Sequence, residues 1–165
     1  MDDFNITDHY HRVKLLNEKI NAHHVPDRIM MPDARTRELR ARLIFEEAME
    51  TIEALGVNVY VEGNDRPSSF DEFQLVVRTN FPYDKGPDLV EIADGCADLS
   101  VVTIGTLVAC GIPDVDLLCM VDENNLAKFG PGGYMREDGK WIKPPNHKPP
   151  NIWGLLTSLG WDGKD

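Results

Sequence analysis

The stretch from Leu99 to Ile112, LSVVTIGTLVACGI, is apolar or small at every position. A helix with no polar face has to be covered on all sides, so this stretch predicts other helices packed around it. It is too short to be read as a span of a bilayer. The helix should begin near Pro87 or Asp88 and stop at Gly111. Its first half carries Glu91, Asp94 and Asp98, which fall within roughly 60° of one another at helical pitch. A helix expected in the interior therefore brings three acids with it. Ionised carboxylates in a core are costly unless something neutralises them. The helix macrodipole explains Glu91 near the N-terminus, Asp94 less well and Asp98 hardly at all.

A second acidic cluster precedes this one. In FEEAMETIEAL, residues 45–55, Glu46, Glu50 and Glu53 again fall within roughly 60°, with Glu47 on the same half of the helix. The expected core stripe of that helix is Phe45, Ala48, Met49, Ile52 and Leu55. The acidic stripe borders this core stripe, whereas a solvated face more often lies opposite. A Glu-rich helix is usually a solvated one, but two such clusters on neighbouring helices weaken that explanation. Protonation, Lys or Arg would neutralise them; divalent cations would do so best, because hard ions prefer oxygen ligands. No His follows either cluster at three or four residues, which disfavours a di-iron bundle and points to Mg²⁺ or Mn²⁺.

Elsewhere the pattern is helical. Val13, Leu16 and Ile20 lie at helical spacing over 7–22, with Thr7 or Asp8 as cap. HHVPDRIMMPD reads as a loop, and Asp33 can cap a helix over 34–55 that Gly56 ends. VNVYVEG and FQLVVRT suggest a short β-hairpin, with a helix over 70–80 as the competing assignment. Pro113 suits the first turn of a helix over 113–128. In the tail, MREDGKWIK predicts a small hairpin around Asp138-Gly139, and the Lys-Pro-Pro repeats predict an extended, mobile chain. No long repeat or domain boundary is evident. The fold class is all-α, a four-to-five-helix bundle with a small β-hairpin and extended C-terminal tail. It forms one domain over 1–165, with a helical core over 7–129 and a tail over 130–165.

At 165 residues and 42% hydrophobic, the chain can bury a core. A net charge of −11 argues against nucleic acid and anionic membranes as partners, since both need a basic face. It leaves room for a small phosphorylated ligand if cations supply positive charge. Cys96, Cys110 and Cys119 form no CxxC pair and read as buried, reduced thiols of a cytoplasmic protein.

The motifs in order resemble those of the MazG-like all-α nucleoside triphosphate pyrophosphohydrolases, in particular the phosphoribosyl-ATP pyrophosphohydrolase-like branch. EEAME at 46–50 resembles the E-E-x-x-E motif, and EIAD at 91–94 the E-x-x-D motif. ENNLAKF at 123–129 resembles the Asn-x-x-Lys-Phe helix, and GKWIKPPNHKPPNI the C-terminal segment of phage and bacterial members. Counting back from Gly111, the family's Asp aligns equally with Asp98, so both aspartates stay in the set. The resemblance implies hydrolysis of a (d)NTP to (d)NMP and pyrophosphate, with two or three Mg²⁺ or Mn²⁺ ions on Glu46, Glu47, Glu50, Glu91, Asp94 and Asp98. One of Glu46, Glu47 and Glu50 would act as base for the attacking water.

It also implies that Lys128, with Asn125 one turn earlier, grips the distal phosphates, with Lys140 and Lys143 closing from the tail. Asn17 on the first helix would read a base edge, although a surface Asn is the simpler explanation. Trp141 would stack on a base or pack the hairpin. The tail and length suggest a phage type such as MazZ, which prefers dGTP, and hence a purine deoxynucleotide; a dUTPase-like or phosphoribosyl-ATP-like preference is the alternative. A homodimer or homotetramer in the cytoplasm, the host's if the chain is viral, is expected. The competing class is a non-catalytic helical interaction protein with solvated acids.

Overall fold

A computed structural model describes residues 5–20, 25–62, 74–79, 86–137 and 139–163. Among these, the chain forms five helices and two small antiparallel hairpins, so it is all-α in class with minor β-structure. The chain divides into two compact units, residues 34–103 and residues 1–33 with 104–165. The helix α3, Leu89–Cys110, contributes to both.

In the unit 34–103, α2 spans Ala34–Ala54 and ends at Gly56, whose positive φ of 67° suits a residue without a side chain. The chain then forms β1, Val57–Glu62, paired with β2, Gln74–Thr79, in the register Val57↔Thr79 to Glu62↔Gln74. It returns to α3 through Asp88, whose carboxylate accepts the Val90 and Glu91 N–H groups at 2.9 and 3.3 Å and so caps the helix. The Asp88 N–H donates to the Ala54 carbonyl at 3.0 Å. Further along, Gly95 lies against Thr51. Pairing Ala54 with Asp88 and then Thr51 with Gly95 means that α2 and the first part of α3 run antiparallel.

In the other unit, α1 spans Asp8–Lys19 and Thr7 caps it, its hydroxyl accepting the Tyr10 N–H at 3.0 Å. The same Thr7 donates its N–H, at 3.0 Å, and its hydroxyl to Asp114, which opens α4, Asp114–Ala127. Gly111 ends α3 with φ 68°; a Cβ there would lie 2.3 Å from the Arg28 carbonyl oxygen. The tail forms β3, Tyr134–Met135, and β4, Trp141–Ile142, followed by α5, Ile152–Ser158. Tyr10, Val13, Ile29, Ile104, Val108 and Ala109 form the apolar core here.

Several expectations change. The buried stripe of α1 is Tyr10, Val13 and Asn17, while Leu16 and Ile20 are exposed. On α2, Phe45, Met49 and Leu55 are exposed, and the buried residues are Thr36, Arg40 and Thr51. Glu91, Asp94 and Asp98 are exposed, as are Ser100 and Thr103, so α3 is not covered all round within one chain. Its 22 residues are, contrary to expectation, long and apolar enough to cross a membrane by length and composition; its acids and its contact with Thr51 argue for a packed helix instead. Cys96 and Cys119 are exposed. Pro113 occupies the N-cap of α4, just outside the first turn. The Lys-Pro-Pro segment is tied down by a hydrogen bond from Asn124 Nδ2 to the Lys148 carbonyl at 2.7 Å and by a turn from His147 N–H to the Pro144 carbonyl at 3.0 Å. Residues 74–79 form a strand, not a helix; residues 70–73, 80 and Asp138 lie outside the described residues.

Candidate active site

Both acidic motifs belong to the unit 34–103, on antiparallel helices that touch at Thr51 and Gly95. Counting outward from this contact places Glu47 and Glu50 within one turn on α2. Glu91, Asp94 and Asp98 lie within about one turn of Gly95 on α3. The contact is close because Gly95 has no Cβ: one placed there would meet Thr51 Oγ1 at 2.7 Å and Thr51 Cα at 3.1 Å. Thr51 is buried, and its hydroxyl donates to the Glu47 carbonyl at 2.7 Å, fixing its rotamer along the helix.

Charges from both motifs act on Glu47. The half-buried Glu47 carboxyl is held above the ordinary range, first by burial and then by the charges of Glu50, Asp98, Glu46 and Asp94. Two of those residues are on its own helix beside it and two are on α3. Among the described residues, the only ion pair to any of these acids is Arg42–Glu46, at 3.8 Å between largely exposed side chains, which contributes little. Glu47, Glu50, Asp94 and Asp98 thus have no basic side chain against them among the described residues.

A hard divalent cation suits such an all-carboxylate donor set. Among the described residues no three of these side chains yet converge on one point closely enough to ligate an ion. Glu46, Glu50, Glu91, Asp94 and Asp98 are exposed, so their side chains can turn toward a common ion without leaving a packed environment. The donor chemistry fits.

The expected phosphate-gripping residues lie in the other unit. Lys128, at the C-cap of α4, donates its ammonium to Asn125 Oδ1, so these two do come together. Its carbonyl accepts the Trp141 indole N–H at 2.5 Å, and Trp141 packs on Phe129 with ring centroids 4.9 Å apart. The packing reading of Trp141 therefore describes its contacts. Lys140 and Lys143 are exposed on either side of β4. Asn17 is buried at 8% exposure, which overturns the surface reading. Sequence reasoning missed Thr51, because a Thr in a Glu-rich run carries no signal of its own.

The sequence model of the phosphoribosyl-ATP pyrophosphohydrolase family matches residues 13–125. The chain belongs to this family. It is part of the MazG-like all-α superfamily and is a pyrophosphohydrolase, a hydrolase of phosphoric anhydride bonds. The non-catalytic alternative falls with that membership. The match takes in both acidic motifs and stops at Asn125, before Lys128 and the tail. No curated protein matches the chain.

Proposed function

We propose that this pyrophosphohydrolase cleaves a nucleoside triphosphate between the α and β phosphates, dependent on Mg²⁺ or Mn²⁺, with a purine deoxynucleotide such as dGTP preferred. The observation that carries the metal dependence is the pair of acidic motifs facing each other across the Thr51–Gly95 contact. They meet there without a neutralising basic residue among the described ones.

Glu46, Glu47, Glu50, Glu91, Asp94 and Asp98 would hold the cations. When bound, these supply charge neutralisation for the phosphate oxygens and a water of lowered pKa. One of the α2 glutamates takes a proton from the attacking water. The new bond forms from water oxygen to the α-phosphorus, the bond to the bridging oxygen breaks, and pyrophosphate leaves. Lys128, oriented by Asn125, binds the distal phosphates, joined by Lys140 and Lys143; Asn17 contributes to the base pocket. In-line placement and electrostatics suffice for this chemistry without a covalent nucleophile.

The enzyme works as a homodimer or homotetramer. Phe45, Leu89 and Val90 are 67%, 80% and 76% exposed in the single chain, and a second copy would cover such surface. Light scattering coupled to size exclusion reads the mass directly; a monomer would remove this part.

The deciding experiment incubates the protein with each dNTP and NTP, and with phosphoribosyl-ATP, in Mg²⁺ or Mn²⁺ and separates the products. Monophosphate plus pyrophosphate, fastest from dGTP and absent in chelator, is the expected result. Fastest turnover of phosphoribosyl-ATP, the substrate in the family's name, would replace the purine deoxynucleotide reading. Diphosphate plus phosphate would overturn the bond assignment.

A further inference from the structure

The two acidic helices approach each other closely at Gly95 and Thr51, which sit among the acids in sequence. Thr51 cannot simply turn away from an intruding atom. It is β-branched, buried, and bonded through its hydroxyl to the Glu47 carbonyl at 2.7 Å. A methyl group at position 95 would sit 2.7 Å from Thr51 Oγ1, 3.1 Å from its Cα and 3.3 Å from its Cβ. A rotation of Thr51 would move Oγ1 and break its bond to the Glu47 carbonyl, but Cα and Cβ would stay at 3.1 and 3.3 Å, so α2 and α3 must also move apart. That wider spacing moves Glu47 and Glu50 relative to Asp94 and Asp98.

We propose that Thr51 and Gly95 are a positioning pair that sets the span between the two acidic motifs, and through it the affinity for divalent cations. Neither residue ligates. Together they act as the spacer of a two-sided site whose ligands come from opposite helices. The inference rests on the metal reading above and adds to it the residues that fix its geometry. Ligands on two separate elements can share an ion only over a narrow range of separations, because metal–oxygen distances are short and fixed. A spacer that forbids even one methyl group therefore tunes binding.

The test is calorimetric titration of the full-length, metal-stripped protein with Mn²⁺. The variants are Gly95→Ala, the double variant Thr51→Ala/Gly95→Ala, and Thr51→Leu, with circular dichroism in chelator as the fold control. Gly95→Ala is expected to keep its helix content and lose about tenfold in Mn²⁺ affinity, the scale on which groups supporting metal ligands act. The double variant removes Oγ1, the closest of the three contacts, and is expected to regain part of the loss. Should Gly95→Ala not fold, Thr51→Leu carries the test: it adds bulk from the α2 side with a side chain able to turn partly aside, and a smaller loss is expected. Wild-type affinity in Gly95→Ala or in a folded Thr51→Leu overturns the positioning role and leaves the metal reading standing. Absence of any recovery in the double variant also overturns it. No Mn²⁺ binding by the wild type overturns the metal reading and this inference together.

Discussion

Asp114 and the acids of the candidate site are treated in opposite ways. Asp114 is 1% exposed, and its two oxygens accept the Thr7 N–H and the Thr7 hydroxyl. Protein donors satisfy it, and in doing so it ties the start of α1 to the start of α4. Glu47, Glu50, Asp94 and Asp98 are less buried, the other three act on Glu47, and none has such a partner among the described residues. A carboxylate that serves the fold is given donors by the fold. Carboxylates grouped without such donors favour whatever lowers their mutual repulsion, a proton or a bound cation. The contrast separates an acid that holds the structure from acids that, on the function proposed above, are kept for a cation.

The largest expected effect would break the comparison from the acidic side. Glu50→Gln should lower pyrophosphate release by about 100-fold, the scale of losing one electrostatic stabiliser. Its metal-free melting temperature should not fall, since one like charge has gone. A fall in metal-free stability similar to that of a core variant would assign Glu50 to the fold. Next, Mn²⁺ at 100 times its dissociation constant should stabilise the wild type by about 2.7 kcal/mol, read as a raised melting temperature that Glu50→Gln lacks. An unchanged melting temperature at millimolar Mn²⁺ would count against the site.

From the other side, Asp114→Ala should cost about 2 kcal/mol in denaturant melts, because it strands the Thr7 donors, while activity at a permissive temperature is retained. Trp141→Phe keeps the packing on Phe129 and removes the donor to the Lys128 carbonyl, so it should cost about 1 kcal/mol. The smallest effect is nil at neutral pH. Tyr10 is raised to about 12, chiefly by burial and then by Asp114 and Cys110. The folded state keeps the phenol proton that the unfolded chain loses near pH 10, so stability falls as pH rises from about 10 to 12. Tyr10→Phe should make that fall shallower in melts across the same window.

The boundaries of the long helices were legible in the sequence, because caps and breakers act locally: Thr7, Gly56, Asp88 and Gly111 all stand where they were expected. The acidic motifs were legible for the same reason, since helical pitch alone puts Glu91, Asp94 and Asp98 on one face. Which apolar residues are covered was not. Periodicity identifies Leu16, Phe45 and Met49 as members of an apolar face, but it cannot say whether that face finds a partner within its own chain. Thr36, Arg40 and Asn17 went unforeseen as buried residues because polar side chains inside a fold leave no hydrophobic signal. Helix α5 was missed because IWGLLTS is short, contains a glycine and follows a Pro-rich run; what starts it is Asn151, whose side chain accepts the Gly154 N–H at 3.0 Å. The anchoring of the tail depends on long-range bonds such as Asn124 to Lys148, which no local pattern records.

The excursion between the two motifs has a neck. It leaves α2 at Gly56 and re-enters α3 at Asp88, and the Asp88 N–H donates to the Ala54 carbonyl across the gap. Its two ends are thus already fastened together before the intervening chain is considered. Closure entropy rises only slowly with loop length, so the stretch from β1 to β2 is a natural port for insertion and deletion. A protein engineer could exchange this segment for a short turn or a reporter peptide without altering the contact at Thr51 and Gly95. Evolution has the same freedom to lengthen or rewrite it while the two acidic helices stay in register.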